Sequence, residues 1–230
     1  MIKLTELIVE TKQDSLARIM TDDVIKGVKN FLFSDEEFGE KANWYEYMGE
    51  RISCDHFVTT ISPEEMKEFL KFTNRRTKYS IASKGSVVEG TAEVGEEPNV
   101  LIKIRLDTTK FSRENLTGMQ SLYMDVLKVV RHEIEHIFQS NARLATSGRE
   151  KDMSRTVKPG LTGSAAQKKY RELPTEMEAD AKAINLIKKK KRVSFEDATR
   201  EYYQDFGMNK KDVTSLVSKM LKYAKKFNFG

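Results

Sequence analysis

Two of the three histidines in this 230-residue chain lie four positions apart, in the sequence His132-Glu133-Ile134-Glu135-His136. An α-helix turns once per about 3.6 residues, so side chains four apart lie on the same helical face. On a helix both imidazoles can therefore bind one metal ion, with Glu133 beside them. The spacing predicts a helix here, and the residue types favour zinc as the ion.

Apolar residues around the motif recur at intervals of three and four positions, which predicts a long buried helix over residues 113–142. A buried helix would hold the two imidazoles rigidly, and its apolar surroundings would strengthen the effect of a bound ion on water. Two solvated histidines on an amphipathic helix are the alternative interpretation. The recurring residues are Leu122, Val126, Val129, Val130, Ile134, Ile137 and Phe138.

A third ligand downstream of the motif has to be another residue type, because no histidine follows His136. Zinc also accepts carboxylates, and Pro174 predicts a helix start that puts Glu176 in the first turn. Glu176 and Asp180 share a face, so Glu176 can bind the metal while Asp180 accepts a hydrogen bond from a ligand imidazole. An acidic first turn is also an ordinary way to begin a helix. The alternative third ligands are Asp180, Glu178 and His56.

The two segments together resemble the gluzincin family of zinc metallopeptidases, which pair His-Glu-x-x-His with a downstream Glu-x-x-x-Asp. The resemblance covers two helices, about a third of the chain at most. It implies one Zn²⁺ per chain and hydrolysis of peptide bonds in a protein or peptide substrate. The implied ligands are His132, His136 and Glu176, with Glu133 as general base and Asp180 in contact with a ligand.

Glu135 departs from the family pattern, because zincin helices usually carry an uncharged residue just before the second histidine. We expect its side chain to be solvated at the helix edge. The implied reaction also needs a donor to the developing oxyanion, and Tyr170 and Arg171 lie near the proposed third ligand. Tyr123 and Tyr202 are further candidates, and the sequence does not choose among the four.

Residues 98–107 alternate apolar and charged side chains and predict a β-strand, and residues 80–94 predict one or two more strands joined by a turn. The predicted fold class is α+β and zincin-like, with a small antiparallel sheet packed on the long active-site helix. Zincins offer an edge strand to an extended substrate, so the resemblance implies a substrate strand containing Val100, Ile102 and Ile104. A purely structural hairpin is the alternative.

The length of the chain fits one zincin-like metallopeptidase domain over residues 1–230. Its expected parts are a mainly helical N-terminal part (1–75), a small sheet (80–107), the active-site helix (113–142), a loop (143–173) and a helical end (174–227). Composition alone leaves open whether the loop forms a lid over the cleft or is disordered. The pair Cys54 and His56 is interpreted as packing.

Composition limits the cellular setting. A single cysteine, no apolar leader and no span of roughly twenty apolar residues predict a cytoplasmic protein without membrane association. The net charge of +5 permits contact with nucleic acid without arguing for it. The opening Met-Ile-Lys-Leu-Thr-Glu-Leu resembles small proteins of large bacterial viruses, so a phage-encoded protein, in the host cytoplasm or in a virion, is one expectation.

Three functions remain open from the sequence. The first is a zinc endopeptidase of gluzincin type. The second is a protease acting on DNA-associated proteins, similar to the SprT-like group, although that group takes its third ligand from a histidine. The third is a structural or interaction protein whose metal site joins two helices, since structural zinc sites have no open coordination position.

Overall fold

The structure is a computed structural model that describes residues 4–34, 38–73, 80–83, 85–143 and 164–227. These residues form an α+β fold with seven helices and one five-stranded mixed sheet. The helices are α1 (Leu4–Phe33), α2 (Pro63–Thr73), α3 (Met119–Arg143), α4 (Ser164–Arg171), α5 (Pro174–Lys191), α6 (Phe195–Gln204) and α7 (Lys210–Phe227). The strands are β1 (Phe38–Tyr47), β2 (Glu50–Ile61), β3 (Ser80–Ser83), β4 (Ser86–Glu93) and β5 (Asn99–Asp107).

The sheet is larger than predicted, and it is mixed where an antiparallel sheet was expected. Its strand order is β1-β2-β5-β4-β3. β2 runs parallel to β5, with Cys54 opposite Val100, and the other three pairs are antiparallel. The parallel pair arises because α2, β3 and β4 lie between β2 and β5 in the sequence, and parallel neighbours need such a long connection.

The prediction of a mainly helical part over residues 1–75 is wrong for its second half. α1 is present, but β1 and β2 follow it as a long antiparallel hairpin. The turn consists of Met48 and Gly49, which have φ angles of 51° and 83°. Two consecutive positive φ angles suit the right-handed twist of a hairpin, although methionine is an unusual residue for the first of them.

Helices α1 and α3 cover one face of the sheet, and the side chains between the sheet and these helices form the core. Ile52, Cys54, His56 and Val58 alternate along β2 and are buried beneath α1. Burial lowers the pKa of His56 to about 4, with the charge of Lys41 as a further cause, so the imidazole is neutral at pH 7. Cys54 and His56 are therefore part of the packing between sheet and helix.

The predicted helical C-terminal part is confirmed. The helix predicted over residues 113–142 is also present, as α3, but it begins at Met119, and α5, α6 and α7 follow it. Ser194 begins α6 as an N-cap, where its Oγ accepts a hydrogen bond from the backbone N–H of Asp197 at 3.0 Å. The last part of the predicted loop forms α4, and residues 144–163 lie outside the described residues. None of the described helices combines the length and the apolar character needed to cross a membrane.

Helix α3 lies at the centre of this arrangement, between the sheet, α1 and α5. Every residue from Asp125 to Glu135 is buried, including the charged ones. The guanidinium of Arg131 contacts Asp14 and Gln13 of α1, each at 3.1 Å, and Glu135 on its own helix at 3.1 Å. Glu135 is therefore not solvated, contrary to the prediction, because Arg131 one turn earlier pairs with its carboxylate.

We expect Gly27→Ala to destabilise the protein, because α1 crosses β2 at Gly27. A Cβ at this position would lie 2.0 Å from Nε2 of the buried His56. This overlap lies at the severe end of the ~1–3 kcal/mol that overpacking costs, and the better helix propensity of alanine offsets only about 1 kcal/mol. Thermal unfolding measures the change. Gly95→Ala, where a Cβ meets no atom within 4 Å, is the control and should unfold like the wild type.

Candidate metal centre

The helices α3 and α5 bring three electron-pair donors together. His132 and His136 lie one turn apart on α3, and Glu176 lies in the first turn of α5. The two imidazole Nε2 atoms are 2.9 Å apart, and each lies 3.3 Å from an oxygen of Glu176. The sequence predicted these three residues as ligands, and the structure brings them together.

The spacing of the donor atoms fits a tetrahedral zinc ion. Ligand atoms at about 2.0–2.1 Å from zinc lie about 3.3 Å from one another, close to the three separations in this cluster. Two imidazoles and one carboxylate are also a ligand set that catalytic zinc uses. Among the described residues, this is the one group of three or more potential ligands with atoms within 4.8 Å of one another.

The outer nitrogens of both imidazoles have hydrogen-bond acceptors. Nδ1 of His132 lies 3.1 Å from Oδ1 of Asp180, as the sequence predicted for a carboxylate behind the first ligand. Nδ1 of His136 lies 3.1 Å from Oε1 of Gln139, a residue that the sequence analysis did not identify. In neutral rings, protons on both Nδ1 atoms leave both Nε2 lone pairs directed at Glu176.

The charges of the cluster favour a cation at its centre. Burial lowers the pKa of His136, but the hydrogen bond and charge of Glu176 outweigh burial and raise this pKa to about 9. Burial also opposes ionisation of Glu176, yet its bonds to both histidines and the charge of Arg171 hold its pKa well below the usual range. Both shifts have the same cause: a positive charge among these acceptors is stabilised.

Glu133 is buried beside the cluster, next to strand β4. Its side chain is 3% exposed, and burial raises its pKa, against the opposing charges of the two histidines. A Cβ on Gly90 of β4 would lie 2.9 Å from Oε1 of Glu133 and 2.3 Å from Cγ1 of Val129. The strand can therefore approach the carboxylate this closely because residue 90 has no side chain.

Two predicted donors lie close to the cluster and differ in how they are held. Arg171 is fully buried, and its Nη1 lies 3.1 Å from both Glu176 and Asp180. Tyr170 is partly buried. Its hydroxyl forms a hydrogen bond with Glu176 and lies close enough to Glu133 to interact with its charge. Burial, with the charge of Glu176, raises the pKa of Tyr170, so its hydroxyl keeps its proton.

The two other tyrosine candidates have different positions. The hydroxyl of Tyr202, on α6, donates to Asp180 at 2.7 Å and lies 3.5 Å from Nδ1 of His132. Tyr123 bonds to Asp22 of α1, and its ring contacts Lys190 of α5 at 3.8 Å. Tyr202 therefore lies on the outer side of the ligand His132, next to Asp180, and Tyr123 contributes to the packing of α3 against α1 and α5.

The predicted substrate strand is wrong. β5 pairs with β2 on one side and β4 on the other, so it is a central strand without a free edge. Val100, Ile102 and Ile104 point into the core beneath the helices and are at most 1% exposed. Of the alternative third ligands, His56 packs against α1 and Glu178 accepts a hydrogen bond from Gln139.

Comparisons of this chain with models of protein families, with curated proteins and with solved structures found no match. The assignment of a function therefore depends on the chemistry of the cluster.

We expect the purified protein to bind one zinc ion per chain, because three ligands converge within reach of one ion. Glu176→Gln should reduce zinc binding at least tenfold, since it removes the anionic ligand. Glu196→Gln, which changes an exposed glutamate in the first turn of α6, is the matched control. Titration of the metal-free protein with zinc, measured calorimetrically, gives the stoichiometry and affinity. Unchanged zinc binding by Glu176→Gln would exclude Glu176 as a ligand.

Proposed function

We propose that this protein is a zinc-dependent metallopeptidase that hydrolyses peptide bonds in a protein or peptide substrate. The observation that carries the proposal is the convergence of His132, His136 and Glu176 beside the buried carboxylate of Glu133. Zinc bound by three protein ligands has a free coordination position, which distinguishes catalytic from structural zinc. The gluzincin resemblance of the sequence points to the same function.

Zinc in this position would supply Lewis acidity towards water and towards the scissile carbonyl. Glu133 would take a proton from the attacking water and give it to the leaving amine as the peptide bond breaks. Burial raises the pKa of Glu133, which makes its carboxylate a stronger base than a solvated one. Asp180 and Gln139 would keep both ligand rings in the tautomer that presents Nε2 inward.

An extended substrate would pair with β4, which replaces β5 in this role. β3 pairs with β4 only at residues 86–89, whereas β5 pairs along residues 86–93. In the part of the chain that the structure describes, the other side of residues 90–93 therefore has no strand partner. This segment begins at Gly90, against Glu133, so a strand added there would lie beside the general base.

Tyr170 is the better of the two predicted donors to the developing oxyanion. The guanidinium of Arg171 is fully buried against Glu176 and Asp180, so it serves as a fixed positive charge behind the ligands. Tyr170, the preceding residue of α4, is only partly buried, and its hydroxyl already contacts Glu176 near Glu133. A single bond to Glu176 leaves this hydroxyl able to turn towards a substrate carbonyl.

A structural metal site is the second candidate, and the burial of the cluster favours it. His132 and Glu176 are each 1% exposed, and the His136 side chain is 19% exposed. A protease acting on DNA-associated proteins would need a basic segment such as residues 188–192 to bind DNA, and it has less support because two lysines of this segment have intramolecular contacts. Lys189 pairs with Asp14, and Lys191 pairs with Glu201.

We expect Glu133→Gln to abolish hydrolysis of dye-labelled casein while zinc binding is retained. The amide cannot accept the proton of the attacking water, and loss of a general base lowers turnover by roughly 10²–10⁴-fold. Glu135→Gln is the control on the same helix, because its carboxylate faces Arg131 and not the ligands. Zinc binding without hydrolysis in the wild type would favour the structural site.

Tyr170→Phe should lower kcat about 10²–10³-fold with KM nearly unchanged, as expected when one oxyanion donor is lost. Zinc content should stay at one ion per chain, because Tyr170 is not a ligand. Tyr123→Phe, which alters a tyrosine bonded to Asp22, is the matched control. Steady-state hydrolysis of a fluorogenic peptide separates kcat from KM, and a change confined to KM would assign Tyr170 to substrate binding.

A further inference from the structure

Gln139 lies one turn beyond His136 on α3 and forms three hydrogen bonds. Its Oε1 lies 3.1 Å from Nδ1 of His136. Its Nε2 donates to the backbone carbonyl of Thr175 and to Oε2 of Glu178, each at 3.1 Å. The side chain is 8% exposed, so water competes little for these bonds.

These contacts allow only one orientation of the amide group. Thr175 O and Glu178 Oε2 are acceptors, so the side of the amide that faces them has to be the NH₂ group. The carbonyl oxygen of Gln139 then faces His136, and Nδ1 of that ring has to carry the proton. In the neutral ring, the form that binds a metal, the remaining nitrogen Nε2 then presents its lone pair to Glu176 and His132. Helix α5 thereby sets the tautomer of a ligand on α3.

The same side chain also locates the third ligand. Thr175 immediately precedes Glu176, so the bond from Gln139 to the Thr175 carbonyl fixes the first turn of α5 against α3. We propose that Gln139 is a positioning residue that couples His136 to Glu176 and so prepares the site for the metal. This inference rests on the proposed zinc site and adds a residue outside the His-Glu-x-x-His and Glu-x-x-x-Asp segments.

The test compares zinc affinities, measured by competition with a chelator. Gln139→Leu keeps a similar volume and removes all three hydrogen bonds, so we expect its affinity to fall 10–100-fold, as for other residues that orient a metal-bound histidine. Gln120→Leu, the same substitution at an exposed position on α3, is the control and should bind zinc like the wild type.

A double variant tests the bonding pattern itself. Gln139→Glu combined with Glu178→Gln exchanges the amide and the carboxylate, so residue 139 still accepts from His136 and residue 178 becomes the donor. We expect the double variant to bind zinc more tightly than Gln139→Glu alone, which places two carboxylates together, but more weakly than the wild type, because a carboxylate at residue 139 cannot donate to the Thr175 carbonyl. In zinc-loaded wild-type protein with ¹⁵N-labelled histidine, the Nδ1–H of His136 should give a hydrogen-bonded signal that Gln139→Leu loses.

The outcomes separate this proposal from the proposed function. If the wild type binds no zinc, the metal site itself is wrong. If the wild type and Gln139→Leu bind zinc equally, only the role of Gln139 is overturned. A lower unfolding temperature of metal-free Gln139→Leu with unchanged zinc affinity would also overturn it, because Gln139 would then contribute to packing alone.

Discussion

The arrangement of the site follows from three electron-pair donors that converge between two packed helices. The two Nε2 atoms and the carboxylate of Glu176 approach within 2.9–3.3 Å, although none of them can donate a proton when both rings are neutral and protonated at Nδ1. Such acceptors repel one another unless a cation or a proton lies between them. Asp180 and Gln139 keep the protons on the outer nitrogens, so the surroundings of the cluster favour the tautomers that a metal requires.

This convergence needs a rigid helix, and the buried charges of α3 supply rigidity. Lys128 contacts Asp125 at 3.3 Å and Asp205 at 2.5 Å, just beyond the end of α6. Arg131, the residue before His132, contacts Asp14 of α1. Burying a charge is costly unless its partners are in place, so these pairs disfavour other positions of the helices. Ion pairs with α1 and with the residue after α6 therefore hold α3 in place, and with it the two histidine ligands.

The helices and residues of the metal cluster could be predicted because they depend on the spacing of residues that are close in the sequence. α3 and α5 with Glu176 and Asp180 follow from helical periodicity, because residues four apart share a face in any helix. The β1–β2 hairpin was missed because its turn is Met48-Gly49, which lacks the usual Asn-Gly signal. β5 is a central strand because it pairs with β2, which is distant in the sequence, and local sequence patterns do not predict such pairing. Gln139 was missed because its role depends on contacts with another helix.

Strand β4 connects the proposed chemistry to the fold. Its approach to α3 at Gly90 removes water from one side of Glu133, and burial raises the pKa of that carboxylate. At the same residue β4 passes beyond its pairing with β3, so, among the described residues, the side of β4 without a strand partner begins beside the proposed general base. A larger side chain at residue 90 would push the strand away and alter both features together. One close contact therefore sets the environment of the proposed base and would set its distance from a substrate strand paired with β4.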